Sequence, residues 1–455
     1  MISDDLASQA QKVLEDNNRY DQYTVPAIGL YPHQWLWDSC FIAIGQRHYD
    51  VKRSQKEILS LLRGQWSNGM IPNMVFTKTD KHRRDSNLWR SWQSPFAPDD
   101  VATSGITQPP VLAEAVIKIG EKLTLPERRM WYQTVFKALV RYHAWLYAER
   151  DPRQTGLVLL VHPWESGLDN TPPWMYELHQ HSLPWWVGAV GTLHLDKLVN
   201  FFRRDVQFVP AEQRLSTIDI LALYSILRRL RRKTYDTERI LSHSLLSIED
   251  LTFNSILIRN NHHLQKIAKT IKQSLPEELV TSMHKADSAL EELWDPYAGQ
   301  YYSRNYASNK LIKIPSIATL MPLYAGCITK ERAEQLVRLL TDKKQFAAHF
   351  PVPSTPMNSE WYREMGYWQG PTWINTNWLI IDGLERYGYS ELADQIREQS
   401  LNLVKEAGFY EYFSAKTGQA AGTDHFSWTA ALTIDLLEQQ ASHQKSTKNA
   451  SKSDQ

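Results

Sequence analysis

The chain has 455 residues, 42% of them hydrophobic and 22% charged, with 51 Lys and Arg against 50 Asp and Glu and a formal net charge of +1. That length accommodates two ordinary domains or one large closed fold, and the composition is that of a folded globular protein rather than a disordered one. The balanced charge argues against a nucleic-acid partner, which is held chiefly by clustered Lys and Arg, and there is no run of about 18 apolar residues to span a bilayer.

The start, Met1-Ile2-Ser3-Asp4-Asp5, is acidic and lacks the basic and apolar regions of a secretory signal, so the expected location is the cytoplasm. Leu6, Ala10, Val13 and Leu14 then repeat at helical spacing behind Ser3, a residue type suited to capping. Trp131, Val135, Leu139, Tyr142 and Leu146 form a second stripe, and the basic run Arg228-Arg229-Leu230-Arg231-Arg232-Lys233 closes a helix, where cations favour the C-terminal dipole. Leu279, Met283, Ala286, Leu290 and Leu293 follow Pro276; Leu392, Ile396 and Leu403 form another stripe, and Trp428, Leu432 and Leu436 the last. Strand-like alternation is scarce, which predicts an all-α fold of roughly a dozen helices.

Two segments resemble each other: Leu293 to Tyr301 and Tyr410 to Gln419 each follow a helix with an aromatic, an acid, a turn and Gly-Gln. They read as short β-hairpins at the mouth of a ring of repeated helix pairs. No Gly/Ser linker divides the chain, so residues 1–440 are expected to form one catalytic domain, and the polar, non-periodic residues 441–455 a disordered tail. The two cysteines, Cys40 and Cys327, fit either a reducing compartment or a single disulfide.

Seventeen tryptophans are present, many of them in polar stretches punctuated by Pro and Gly: Trp35, Trp37, Trp89, Trp92, Trp164, Trp174, Trp185, Trp186, Trp361, Trp368 and Trp373. Aromatic faces can stack on sugar rings while polar neighbours bind hydroxyls, although each ring also suits a core. Three acids stand among such aromatics: Asp38, Asp169 in Trp164-Glu165-Ser166-Gly167-Leu168-Asp169-Asn170, and Glu411. Burial in such a loop raises a carboxyl pKa towards that of a general acid. Each has another reading: Asp38 as an N-cap, Asp169 as an Asx-turn before Pro172, and Glu411 as an exposed hairpin residue. No zinc, calcium or nucleotide-loop motif occurs, so no metal or cofactor is implied.

His33-Gln34-Trp35-Leu36-Trp37-Asp38-Ser39, the Trp164–Asn170 segment, Tyr367-Trp368-Gln369-Gly370-Pro371-Thr372-Trp373-Ile374-Asn375 and Phe426-Ser427-Trp428-Thr429-Ala430-Ala431 together resemble glycoside hydrolase family 63. With Asp100 to Pro110, they are similar more narrowly to its bacterial mannosylglycerate and glucosylglycerate hydrolases. The resemblance implies an (α/α)6 toroid with long loops at its mouth, and inverting hydrolysis of an α-linked glucosyl or mannosyl group. On the matching positions Asp169 is the general acid and Glu411 the general base, a pair that in inverting enzymes stands roughly 6.5 to 9.5 Å apart. Asp38 would hold sugar hydroxyls, and Tyr31, Trp35, Trp37, Gln108, Trp164, Trp368 and Trp373 would line the pocket.

Gln369 stands where the relatives usually carry Arg, so a glycerate carboxylate needs another cation. Arg214, or the basic loop Lys81-His82-Arg83-Arg84, would supply it. The expected partner is a small glycoside, with neither nucleic acid nor membrane, and self-association is left open. A trehalase-like hydrolase of a disaccharide or glucosylglycerol, a sugar epimerase working through a histidine pair such as His179 and His181, and a sugar-binding protein without catalysis are the alternatives.

Overall fold

The structure, a computed structural model, describes residues 2–77, 83–181, 187, 205–242 and 246–453. Trp185, Trp186, Lys81 and His82 lie outside the described residues, as do the side chains of Arg83 and Arg84. The fold is mostly helical. The longer helices are α1 (Ile2–Asp16), α2 (Leu36–Gln46), α3 (Val51–Leu62), α4 (Leu112–Glu121), α5 (Leu125–Arg150), α6 (Pro172–Gln180), α7 (Thr217–Arg232), α8 (Leu251–Ile271), α9 (Glu277–Ala289), α10 (Lys330–Thr341), α11 (Ile374–Arg386), α12 (Ser390–Ala407) and α13 (Ser427–Ser453).

Two kinds of helix follow from two kinds of sequence. In α3, Ser54, Glu57, Ile58 and Leu61 are buried while the intervening residues face outward, the single stripe of a helix covered on one side. In α2 every residue from Leu36 to Gln46 is buried. A helix buried all round must be enclosed by others, and α2 is: it packs on α4, α4 on α8, α8 on the short helix Pro322–Ala325, that helix on α11, α11 on α13, and α13 back on α2. The contacts therefore close on themselves. Around this ring α1 covers α13, α3 covers α2 and α4, α5 covers α4 and α8, and α12 covers α11 and α13.

Local signals set the helix ends. Asp50 caps α3 by accepting from the Arg53 amide, Thr124 and Glu127 form a capping box at α5, and Asp250 caps α8 through the Phe253 amide. Pro276 lies immediately before α9, and Arg229, Arg231 and Arg232 occupy the last turn of α7. Both resembling loops are antiparallel hairpins: Trp294–Asp295 pairs with Gln300–Tyr301, and Tyr412–Phe413 with Ala420–Ala421.

The terminal helix α13 is described as far as Ser453, and the residues after 440 contain neither Pro nor Gly to stop a helix. Two expectations change. Helix α1 already includes Ile2, so Ser3 lies inside it and not at its cap. Cys40, which is buried, and Cys327, which is half-buried, are free thiols, which removes the disulfide alternative.

Candidate active site

Three loops bring the acids together. The first enters α2: Gln34–Trp35 pairs with Met74–Val75, and Trp35 occupies the N-cap without a side-chain capping bond. Asp38 is therefore in the first helical turn, only 4% exposed, and lines the pocket instead of capping the helix. The buried carboxyl of Glu57 on α3 ties this entry down, accepting from the Thr24 amide at 2.7 Å, Ser39 Oγ at 2.5 Å and Gln34 Nε2 at 3.0 Å.

The second loop carries Asp169. A 3-10 turn, Pro163–Ser166, ends at Gly167 with φ +72°. A Cβ on Gly167 would meet the Trp37 ring at 2.8 Å, so glycine both permits the left-handed turn and lets the loop pass close to Trp37. Glu165, the other acid of the segment, is committed elsewhere: Arg150 donates to it at 2.8 and 3.1 Å, and the Val161 amide at 2.8 Å. Asp169 has no side-chain hydrogen bond among the described residues, so the Asx-turn reading fails, and its carboxyl lines the pocket.

The third loop is the Glu411 hairpin. Glu411 is 1% exposed, not a surface residue, and its amide donates to the Thr423 carbonyl at 2.9 Å. Its Oε1 accepts from Tyr31 Oη at 2.7 Å, Arg214 Nη1 reaches both carboxylate oxygens at 3.3 Å, and the Thr423 amide reaches Oε2 at 3.3 Å. Gly422 (φ +73°) faces this carboxylate, and a Cβ there would fall 2.4 Å from Oε2.

These loops border a pocket lined by Tyr31, Trp35, Trp37, Asp38, Gln108, Asp169, Trp368 and Glu411 among the expected residues. Trp373 does not line it: fully buried, it stacks beneath Trp368 with ring centroids 3.7 Å apart. Trp164 is also absent from the lining and packs instead on Trp89 and His162, at 5.9 and 4.6 Å. Arg214 stands behind the wall, its Nη2 on Tyr31 Oη at 2.6 Å and its guanidinium 4.3 Å from the Tyr367 ring. Pro26, Gly167, Tyr367, Phe426 and Trp428 complete the lining. Of these, Tyr367, Phe426 and Trp428 stand inside the aromatic motifs singled out above, which was the available signal. None of His143, His162, His179 or His181 lines the pocket, so the histidines named for an epimerase stand outside it. Among the described residues no group of three or more His, Cys, Asp and Glu side chains is arranged to hold a metal ion.

The electrostatics separate the acids. Burial pushes Asp169 up to about 7, and Glu411 adds to the rise while Arg214 opposes it. Asp38 is raised well above the carboxylate range, first by burial and then by the charges of Glu411 and Asp169. Glu411, in contrast, has a guanidinium against both of its oxygens. Asp169 and Glu411 thus line one aromatic pocket, the first with its pKa raised by burial and the second with a guanidinium against both oxygens, and a pair of carboxyls is what glycosidic cleavage uses.

Comparison with known proteins agrees. The family described as mannosylglycerate hydrolase MGH1-like glycoside hydrolase domain matches residues 31–429. A mannosylglycerate hydrolase of Rubrobacter radiotolerans is 35% identical over 95% of this chain and 97% of its own length. A glucosylglycerate hydrolase of Mycolicibacterium hassiacum is 30% identical over 95% and 97%. The crystal structure of the GH63 mannosylglycerate hydrolase from Thermus thermophilus in complex with Tris and D-glycerate superposes with a TM-score of 0.84 at 37% identity, over 94% of this chain and 99% of that one. With its carboxyls, aromatic walls and helical ring in place, this chain belongs to the mannosylglycerate hydrolase MGH1-like family of glycoside hydrolases.

Proposed function

We propose that the chain hydrolyses glucosylglycerate or mannosylglycerate with inversion, Asp169 acting as general acid and Glu411 as general base. The observation that carries this reading is the pair of carboxyls in one pocket: Asp169 raised to about 7 by burial and free of side-chain hydrogen bonds among the described residues, Glu411 held by Arg214 and Tyr31. Asp169 delivers its proton to the glycosidic oxygen as the bond to the anomeric carbon breaks. Glu411 takes a proton from the water that attacks the opposite face of the ring, so an α-linked sugar leaves as the β-anomer. Asp38 and Gln108, whose Oε1 has no partner among the described residues, hold hydroxyls of the sugar, and Trp35, Trp37 and Trp368 pack against it. Arg214 commits both Nη groups to Glu411 and Tyr31, so its charge serves the base first and reaches a glycerate carboxylate only through the field it shares with the pocket.

The names of the relatives support glycerate as the leaving group. We further read the closed ring and its outer helices as an (α/α)6 toroid, with residues 1–440 forming one catalytic unit, because the closing contact joins α2 near the start of the chain to α13 near its end. The test is hydrolysis of glucosylglycerate and mannosylglycerate, with trehalose as the contrast. Asp169→Asn and Glu411→Gln are each expected to lower kcat by about 10²–10⁴-fold with unchanged circular dichroism. Wild-type turnover in either variant, or a preference for trehalose, would contradict the assignment.

A further inference from the structure

Asp169 has no hydrogen bond of its own among the described residues, so its aim depends on the backbone to either side. On one side, Ser166 Oγ donates to the Pro163 carbonyl at 2.6 Å and accepts from the Leu168 amide at 3.1 Å. On the other, Asn170 is 6% exposed and bonded on three sides. Its Nδ2 donates to the Gly366 carbonyl at 3.1 Å, its Oδ1 accepts from the Trp368 amide at 2.8 Å, and its own carbonyl accepts from Gln369 Nε2 at 3.0 Å.

The residue between Gly366 and Trp368 is Tyr367, which has φ +63°, a left-handed conformation that a bulky residue adopts only when its surroundings impose it. The Asn170 amide bonds the peptide groups on both sides of that residue and so holds it there. Tyr367 in turn lies under the Arg214 guanidinium and brings its hydroxyl within 3.3 Å of Tyr31 Oη, and both Arg214 and Tyr31 bond Glu411. One side chain therefore joins the loop of the acid to the group that holds the base.

We propose that Asn170, backed by Gln369, is the positioning residue that sets the placement of Asp169 relative to Glu411, an inference that rests on the acid and base roles given above. It acts through backbone and Tyr367 and touches no substrate. This also gives Gln369 a task in this chain: a neutral amide donor that fastens the acid loop.

The experiment compares wild type, Asn170→Ala, Gln369→Ala and Asp169→Asn on whichever glycosylglycerate is turned over, measuring kcat, KM and the pH dependence of kcat. A small misplacement of a catalytic group costs on the order of 100-fold, so Asn170→Ala is expected to lower kcat by about 30–300-fold with KM within about threefold. The loosened acid loop becomes better solvated, so the alkaline limb is expected to move to lower pH. Gln369→Ala removes one bond of the three and is expected to shift kcat and the limb in the same directions, by less. Folded Asn170→Ala with wild-type kcat, or with a lowered kcat and an unmoved limb, overturns the inference. Should Asn170→Ala fail to fold, wild-type kcat and pH dependence in Gln369→Ala overturn it. Full activity in Asp169→Asn overturns the acid assignment and this inference with it, whereas an inactive Asp169→Asn beside a wild-type Asn170→Ala overturns this inference alone.

Discussion

Asp169 and Glu411 are both carboxyls in the same pocket, and we propose different work for them. Burial favours the protonated form of Asp169, with its ionisation at about 7, while Glu411 has the Arg214 guanidinium against both of its oxygens. A group whose pKa is raised is competent as an acid below that value and is lost as pH rises through it. The expected profile of kcat therefore falls on the alkaline side with a midpoint near 7, checked with a substrate that needs leaving-group protonation; a flat profile to about pH 9 would contradict it. The three acids, Trp35, Trp37 and Trp368 stand among aromatics in the sequence, whereas Tyr31 and Gln108 came only from resemblance to a family; Tyr31, Trp35, Trp37, Asp38, Gln108 and Trp368 all reach the cavity. Trp164 and Trp373 carry the same local pattern and pack away from it, because a motif does not say which face an indole turns. The bond from Arg214 to Glu411 had no local signature, since the two residues are brought together only by the closed fold.

Among the elements, the pocket rests on a layered aromatic stack. Trp368 covers Trp373, which stacks on Tyr412 at 4.7 Å and donates from Nε1 to the Tyr367 carbonyl at 3.1 Å. Trp373 precedes α11, and Thr372 bridges to Phe413, so the stack fastens the ring to the hairpin of the base. Removing a fully buried indole costs about 3–5 kcal/mol, so Trp373→Ala is expected to unfold at clearly lower denaturant concentration, with Trp373→Phe intermediate. An unchanged midpoint would show that the stack is not structural. Outer helices such as α3 and α12 have one buried stripe and were readable from periodicity or are explained by it. The enclosed helix α2 is buried at every residue, so burial leaves no one-sided stripe to read. The hairpins were readable from their turns, while α13 outran its apolar pattern because nothing in the tail breaks a helix.

Across the whole molecule, the ring is what makes the site. Pro26 and Tyr31 come from before α2, Gln108 from before α4, Asp169 from beyond α5, Tyr367 and Trp368 from before α11, and Glu411, Phe426 and Trp428 from around the last hairpin and the start of α13. These segments meet because the enclosed helices close on one another and bring their leading loops to a common pocket. Local pattern predicted helices, a loop-built site and, from two resembling hairpin segments, a ring of helix pairs, but the (α/α)6 form of that ring came only from resemblance to a family, since contacts between distant segments leave no trace in periodicity. The proposed inversion depends on the whole assembly, because it requires acid and base on opposite faces of one sugar. The direct measurement is proton NMR of the anomer first released from α-linked glucosylglycerate or mannosylglycerate. Initial appearance of the β-anomer, followed by mutarotation, is the predicted result; initial appearance of the α-anomer would contradict the roles given to Asp169 and Glu411.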